Sequence, residues 1–273
     1  MNFDFAALLL LLTVITGVIW GVDALWFAKR RAASAPPPSE AAADKGKDAT
    51  GEQTEPAAAK EPILVEYSRF LFPVVLVVFI VRGFIAEPFQ IPSGSMLPTL
   101  NIGDYILVNK FSYGLRMPVF HFKILDFGRP DRGDVVVFRF PHDPDTDFIK
   151  RVIGLPGDHI EYHDKTVFIN GKRMEQNYVG HFRDERETVL KLEKLPDIAH
   201  SILIEQQKPA LDGSWVVPEG SYFVMGDNRD NSNDSRYWGF VKDKYLKGRA
   251  FLVAFNWADD ESPKWSRIGT IIH

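Results

Sequence analysis

The sequence predicts a mainly β protein: an antiparallel β-sheet domain with a smaller β-rich accessory region, carried on two amino-terminal membrane helices. Three observations lead to this reading. Two long apolar runs occupy the first 87 residues. Short β-branched and aromatic runs, set off by Gly-Asp and Asn-Gly pairs, follow them. Beyond residue 90 only Glu187–Leu195 offers an amphipathic helical pattern. The chain of 273 residues, 45% hydrophobic, can bury one sizeable core and still furnish membrane segments.

The first run, Phe5–Ala28, is interrupted by Asp23 alone. At about 1.5 Å per residue it spans the roughly 30 Å hydrocarbon layer. Lys29, Arg30 and Arg31 follow at once and no Lys or Arg precedes the run, the reverse of a cleaved signal peptide's charge order. Residues 1–28 therefore read as a permanent anchor, with the amino terminus outside and Lys29–Arg31 in the cytoplasm. Residues 29–61 carry Ala, Pro, Glu and Lys without an aromatic side chain, and predict a disordered cytoplasmic linker. The second membrane helix is placed over residues 62–87. Its uninterrupted apolar stretch, Phe70–Val81, is short for a span, so a core or interfacial helix competes. Glu66, Arg69 and Arg82 lie near its ends, where they can snorkel, and this favours the span. Two crossings return the chain outside, making residues 88–273 extracytoplasmic.

Within that outer domain, Tyr105–Val108 and Val135–Phe138 follow Gly103-Asp104 and Gly133-Asp134, and their continuous apolar character suits strands buried on both faces. Val167–Ile169, Asn170-Gly171 and Lys172 onward form a tight hairpin pattern, because Asn-Gly accepts the positive φ angles of a type I′ turn. Phe223–Met225 and Ala250–Phe255 add strands, and about 160–220 is the accessory region. Met117–Leu125 is an apolar stretch that fits core better than lipid contact.

Composition narrows the chemistry. With no cysteine, disulfides, thiolate metal sites and a cysteine nucleophile are excluded. A net charge of −4 with scattered basic residues gives no nucleic-acid footprint. The seven histidines show no zinc-ligand spacing, and Gly226–Arg236, though rich in Asp and Asn, fails the calcium-loop pattern in both registers. No metal or cofactor is expected.

Ser95 lies in Pro92-Ser-Gly-Ser-Met-Leu-Pro98, just past the second span. A loop serine is ordinarily a solvated hydroxyl. Here Gly94, able to adopt conformations closed to other residues, and the flanking prolines could present it as a nucleophile that still needs a base. A histidine base remains open by counting, although nothing local favours one. Lys150, in the strand-like Asp147–Pro156, is the unusual candidate. A snorkelling lysine on an edge strand is the ordinary explanation; burial would instead lower its pKa from about 10.4 toward about 7–8, where it can act as a base. Gly226–Arg236 otherwise reads as a polar turn, in which Asp234 and Arg236 could pair.

These segments resemble those of bacterial type I signal peptidases (leader peptidases), membrane-bound serine–lysine proteases. The resemblance covers nearly the whole chain. It rests on the two spans, Pro92–Leu100, Gly133–Phe138, Phe148–Asp158 and Gly226–Arg236 in order. It implies Ser95 as nucleophile and Lys150 as general base, with an oxyanion hole from the Ser93 hydroxyl and the Ser95 backbone N–H. It also implies that Ser232 hydrogen-bonds the lysine and that Asp234 and Arg236 buttress the loop. Shallow pockets for small residues would be lined by Phe89, Ile91, Pro92, Met96, Leu100, Phe148 and Ile149. Phe148 stands where the family often has Tyr. Exported preproteins would be the substrates and the lipid bilayer a partner, with secretion machinery a further candidate, in the bacterial cytoplasmic membrane. Two other readings stand beside this one: a peptidase of the same fold with another substrate, and a non-catalytic membrane-anchored binding protein.

Overall fold

A computed structural model describes residues 5–33, 61–117, 123–183, 185–258 and 262–273. The chain divides into two compact units, one reaching to Val81 and the other running from Arg82 to His273.

The first unit is helical. Phe5–Val22 continues through a π-turn, Asp23–Phe27, into Ala28–Ala33, so the basic cluster and two alanines of the expected linker extend the helix. Residues 34–60 of that linker lie outside the described residues. The second helix, Ile63–Ile80, starts after Pro62 and contains Pro73. Phe5–Arg31 and Ile63–Ile85, at 27 and 23 residues, are long and apolar enough to cross a membrane. The helical path ends at Ile85, two residues short of the expected limit, because Ala86 and Glu87 already pair in a sheet. The helices meet where Gly17 leaves room for Phe72: a Cβ at Gly17 would stand 2.7 Å from that ring.

The second unit is built on a seven-stranded antiparallel sheet. Its order is Ala86–Gln90, Asp104–Asn109, Leu246–Asn256, Val135–Phe140, Asp143–Gly154, Ser221–Met225 and Val241–Lys242. Val135–Phe138 is buried at every position, as its unbroken apolar run requires, because the sheet is covered on both faces there. Asp104–Asn109 differs from expectation: burial alternates, with Ile106 and Val108 inside and Tyr105 stacked on Phe255 at 4.3 Å. One core gathers Ile91, Met96, Leu100, Ile106, Val135 and Val253; a second packs Tyr113, Val136, Phe138, Val152 and Val224.

The accessory strands form two small sheets. Gly213–Val216, His159–His163, Thr166–Ile169 and Lys172–Arg173 make one, closed by Asn170-Gly171 at φ 53° and 75°, the positive pair the dipeptide predicts. Glu175–Phe182, Glu185–Lys194 and Ala199–Glu205 make the other. Glu187–Leu195, the one helical expectation, is therefore strand through Lys194. Its β-branched Thr188-Val189 and two long antiparallel ladders override the helical spacing. Of Met117–Leu125, residues 118–122 lie outside the described residues, and Ile124 and Leu125 are exposed.

Candidate active site

Ser95 sits in a short 3-10 turn, Gly94–Met96, that leaves the sheet after Ile91. Ile91 is anchored by backbone bonds with Asp104 (2.8 Å) and Gly103 (2.9 Å), and the Met96 side chain is fully buried. The turn is thus pinned at both ends while Ser95 itself stays half-buried and Ser93 exposed. The Ser93 hydroxyl lies 3.5 Å from Ser95 Oγ. Gly94 is not in the left-handed region, contrary to expectation. Its benefit is space, since a Cβ there would press Leu97 Cδ1 at 3.0 Å.

Lys150 lies on Asp143–Gly154, an interior strand pairing with Val135–Phe140 and Ser221–Met225, so it cannot snorkel at an edge. Its side chain is 4% exposed. Nζ stands 2.9 Å from Ser95 Oγ and 2.8 Å from the Ile149 carbonyl, with the Phe148 ring centroid 5.3 Å away. Removal from water disfavours the ammonium and brings its pKa down to about 8, against the opposing pull of the Asp234 and Asp227 carboxylates. A buried amine of that pKa, in contact with a serine hydroxyl, can take its proton near neutral pH.

The third segment locks the turn from outside. Asn228 donates its backbone N–H to the Ser95 carbonyl (3.1 Å) and its side-chain amide to the Gly94 carbonyl (3.0 Å). Asp234 caps the helical turn Ser235–Trp238, accepts Gly226 N–H at 3.0 Å and takes both Nε and Nη2 of Arg236 at 2.8 Å. The expected Asp234–Arg236 pair is therefore formed, and buried. Gly226 is required for close approach: a Cβ there would lie 2.5 Å from both the Ser95 carbonyl oxygen and Ser232 Cβ.

The signal peptidase, peptidase S26 family model matches residues 64–255, which hold all three segments. Signal peptidase I of Pseudomonas fluorescens is 43% identical over 297 residues, covering 99% of this chain and all of its own. That of Pseudomonas aeruginosa is 43% identical over 294 residues with the same coverage. The Haemophilus influenzae enzyme is 34% identical over 96% of this chain and 88% of its own. The chain belongs to the signal peptidase I family.

For a signal peptidase I, two expectations need adjustment. The Ser232 hydroxyl is buried but has no hydrogen-bond partner among the described residues; it lies against Gly226, and the expected bond to Lys150 is not formed. Lys150 spends its contacts on Ser95 and Ile149 instead. Among the expected pocket residues, Pro92 is exposed and Phe89, Phe148 and Ile149 are half-buried, whereas Ile91, Met96 and Leu100 belong to the core.

Sequence reasoning missed a buried polar layer in this signal peptidase. Arg151, next to Lys150 and fully buried, grips Asp227 with Nε and Nη2 at 2.8 Å each and the Gly133 carbonyl at 2.7 Å. Thr99 adds a 2.5 Å bond to the same carboxylate. Burial pushes the Asp227 carboxyl up, but the Arg151 guanidinium outweighs it and holds the pKa below the usual range. The available signal was an arginine inside an apolar strand, which demands a carboxylate partner. Arg229, Glu193 and His200 had no such signal, since two of them lie in the accessory strands.

Proposed function

We propose that this signal peptidase I removes amino-terminal signal peptides from exported preproteins after small residues, with Ser95 as nucleophile and neutral Lys150 as general base. The observation that carries the reading is the 2.9 Å approach of the buried Lys150 Nζ to Ser95 Oγ. At pH 7 a group of pKa about 8 is unprotonated in about one molecule in ten, enough to sustain general-base turnover. The Ser95 proton moves to Nζ as Oγ bonds the scissile carbonyl carbon. The developing oxyanion faces the Ser95 backbone N–H and the Ser93 hydroxyl. The ammonium then gives its proton to the leaving amine, releasing the mature chain and leaving an acyl ester on Ser95. Lys150 next activates a water, which attacks the ester and frees the signal peptide. Ser232, buried beside Gly226, is the hydroxyl we assign to receive the lysine as it becomes charged, a buried group otherwise left unsatisfied at a cost of about 1–3 kcal/mol.

Half-buried Phe89, Phe148 and Ile149, with Pro92, form the apolar wall against which small side chains would fit; the missing hydroxyl at Phe148 matters little to it. The two apolar helices support residence in the bacterial inner membrane, with the amino terminus and residues 88–273 outside, where preproteins arrive from the secretion machinery. Purified Ser95→Ala and Lys150→Ala should each lose preprotein cleavage while keeping the wild-type β-sheet spectrum. Substantial processing by either would overturn the mechanism, leaving a peptidase of this fold with other chemistry. Digestion of residues 88–273 in sealed vesicles only by protease on the cytoplasmic side would overturn the orientation.

A further inference from the structure

The three-stranded accessory sheet carries two buried ionisable residues, Glu193 with no exposure and His200 at 5%. They are direct cross-strand neighbours, and both face the loop that holds the nucleophile turn. Arg229 Nη1 donates to Glu193 Oε1 at 2.7 Å while Nη2 bonds Oε2. The same Nη2 is 3.4 Å from His200 Nε2, which in turn is 3.8 Å from Asp227 Oδ1. Gln176, on the strand flanking Glu193, adds a 3.0 Å bond to its carboxylate.

The backbone runs the same way. Leu203 N–H donates to the Asp227 carbonyl at 2.9 Å and Leu203 bridges Asn228 in parallel register. Glu205 N–H and Lys165 Nζ both reach the Asp230 carboxylate, at 2.8 and 3.1 Å. Asn228 lies between Asp227 and Arg229, and it is the residue that holds the carbonyls of Gly94 and Ser95. An unbroken series of bonded groups therefore leads from the accessory sheet to the nucleophile.

A buried Arg–Glu pair contributes little net stability compared with apolar residues of the same volume. Its distinctive property is fixed bidentate geometry. We propose that Glu193 is a positioning residue, which through Arg229 fixes Asn228 and thereby the approach of Ser95 to Lys150. The proposal rests on the serine–lysine reading given above. On this basis the accessory sheet is part of the catalytic apparatus.

The test uses the full chain in detergent micelles, with kcat and KM measured on a preprotein and unfolding followed by circular dichroism. Arg229→Lys keeps the charge beside Glu193 but cannot form the two-pronged contact. It should stay folded and lose about tenfold or more in kcat with KM changed less than about twofold, as expected when reacting groups are displaced by a fraction of an ångström. The apolar pair E193L/R229M should recover stability relative to Glu193→Gln yet keep the lowered kcat. Wild-type kcat in Arg229→Lys, or in a folded E193L/R229M, would show that the pair serves stability alone and would overturn the proposal. Arg229→Lys decides the matter if the double variant does not fold. Ser95→Ala, run alongside, separates the two readings: activity there would refute the serine–lysine mechanism rather than this inference.

Discussion

Replacing Lys150 by Met should abolish cleavage and yet make the outer domain more stable near neutral pH. The gap between an ordinary lysine, 10.5, and Lys150, about 8, measures how poorly the folded site tolerates the ammonium. Between those two values the unfolded chain holds a proton that the folded chain has shed, so stability rises with pH across the window. Below about pH 8 that gain is absent. At about 1.36 kcal/mol per pH unit, burying the lysine costs about 3 kcal/mol there. Met fills similar space without charge. It forfeits the bonds to Ser95 Oγ and the Ile149 carbonyl, about 1 kcal/mol each. The net expectation is a gain of about 1 kcal/mol at about pH 7 and a loss of about 2 kcal/mol above about pH 10.5. Urea titrations of both proteins in the same micelles, at about pH 7 and about pH 10, measure the difference as a shift in midpoint. A Met variant less stable than wild type by the same amount at both values would refute the claim that Lys150 is held neutral by burial.

The same titration should govern the rate. Cleavage kcat should rise about tenfold per pH unit below about pH 8 and level off above it, as the fraction of neutral Lys150 saturates; a plateau already complete below about pH 6 would point to another base. Gly226→Ala tests the close approach of the supporting loop. A Cβ set 2.5 Å from the Ser95 carbonyl oxygen must displace the backbone by a sizeable fraction of an ångström, so kcat should fall about 100-fold, with about 1–3 kcal/mol of stability. Gly180→Ala, with open space around it, is the control and should behave as wild type.

What could be read in the sequence followed from how local each determinant is. The apolar runs, the Asn170-Gly171 turn and the buried Val135–Phe138 strand are dictated by neighbours within a few residues, and the structure contains all of them. Ser95 and Lys150, 55 positions apart, were joined only by resemblance; the fold brings them together because Ile91 and Met96 fix one and an interior strand fixes the other. Asp234 and Arg236 were legible because they lie two positions apart. Glu193 was not. Its meaning depends on Arg229, 36 positions away, and its own segment carries a helical spacing that the ladders overrule. The Ser232–Lys150 bond, implied by the resemblance, is not formed: Ser232 Oγ lies against Gly226, and Lys150 Nζ bonds Ser95 and the Ile149 carbonyl.

On the proposed mechanism Lys150 has to be neutral, and the electrostatics of the site account for how it can be so amid so much charge. Among the described residues, three buried arginines belong to the polar layer around the nucleophile turn and its supporting loop, and each has its own carboxylate: Arg151 with Asp227, Arg229 with Glu193 and Arg236 with Asp234. Unpaired carboxylates at those positions would hold Lys150 as an ammonium and leave no base. Unpaired guanidiniums would lower its pKa further and make the protonated amine too reluctant to form when Ser95 attacks. Desolvation is the larger influence, and the Asp234 and Asp227 charges, each shared with an arginine, only moderate it. The result is a pKa of about 8 rather than an extreme. Removing one arginine from this set should therefore raise the lysine's pKa, by releasing its carboxylate partner, and removing one carboxylate should lower it. Arg151→Met and Asp227→Asn, which alter the same pair from opposite sides, should move the acid limb of the rate profile in opposite directions, and a shift in the same direction from both would mean that packing, not charge balance, sets the base.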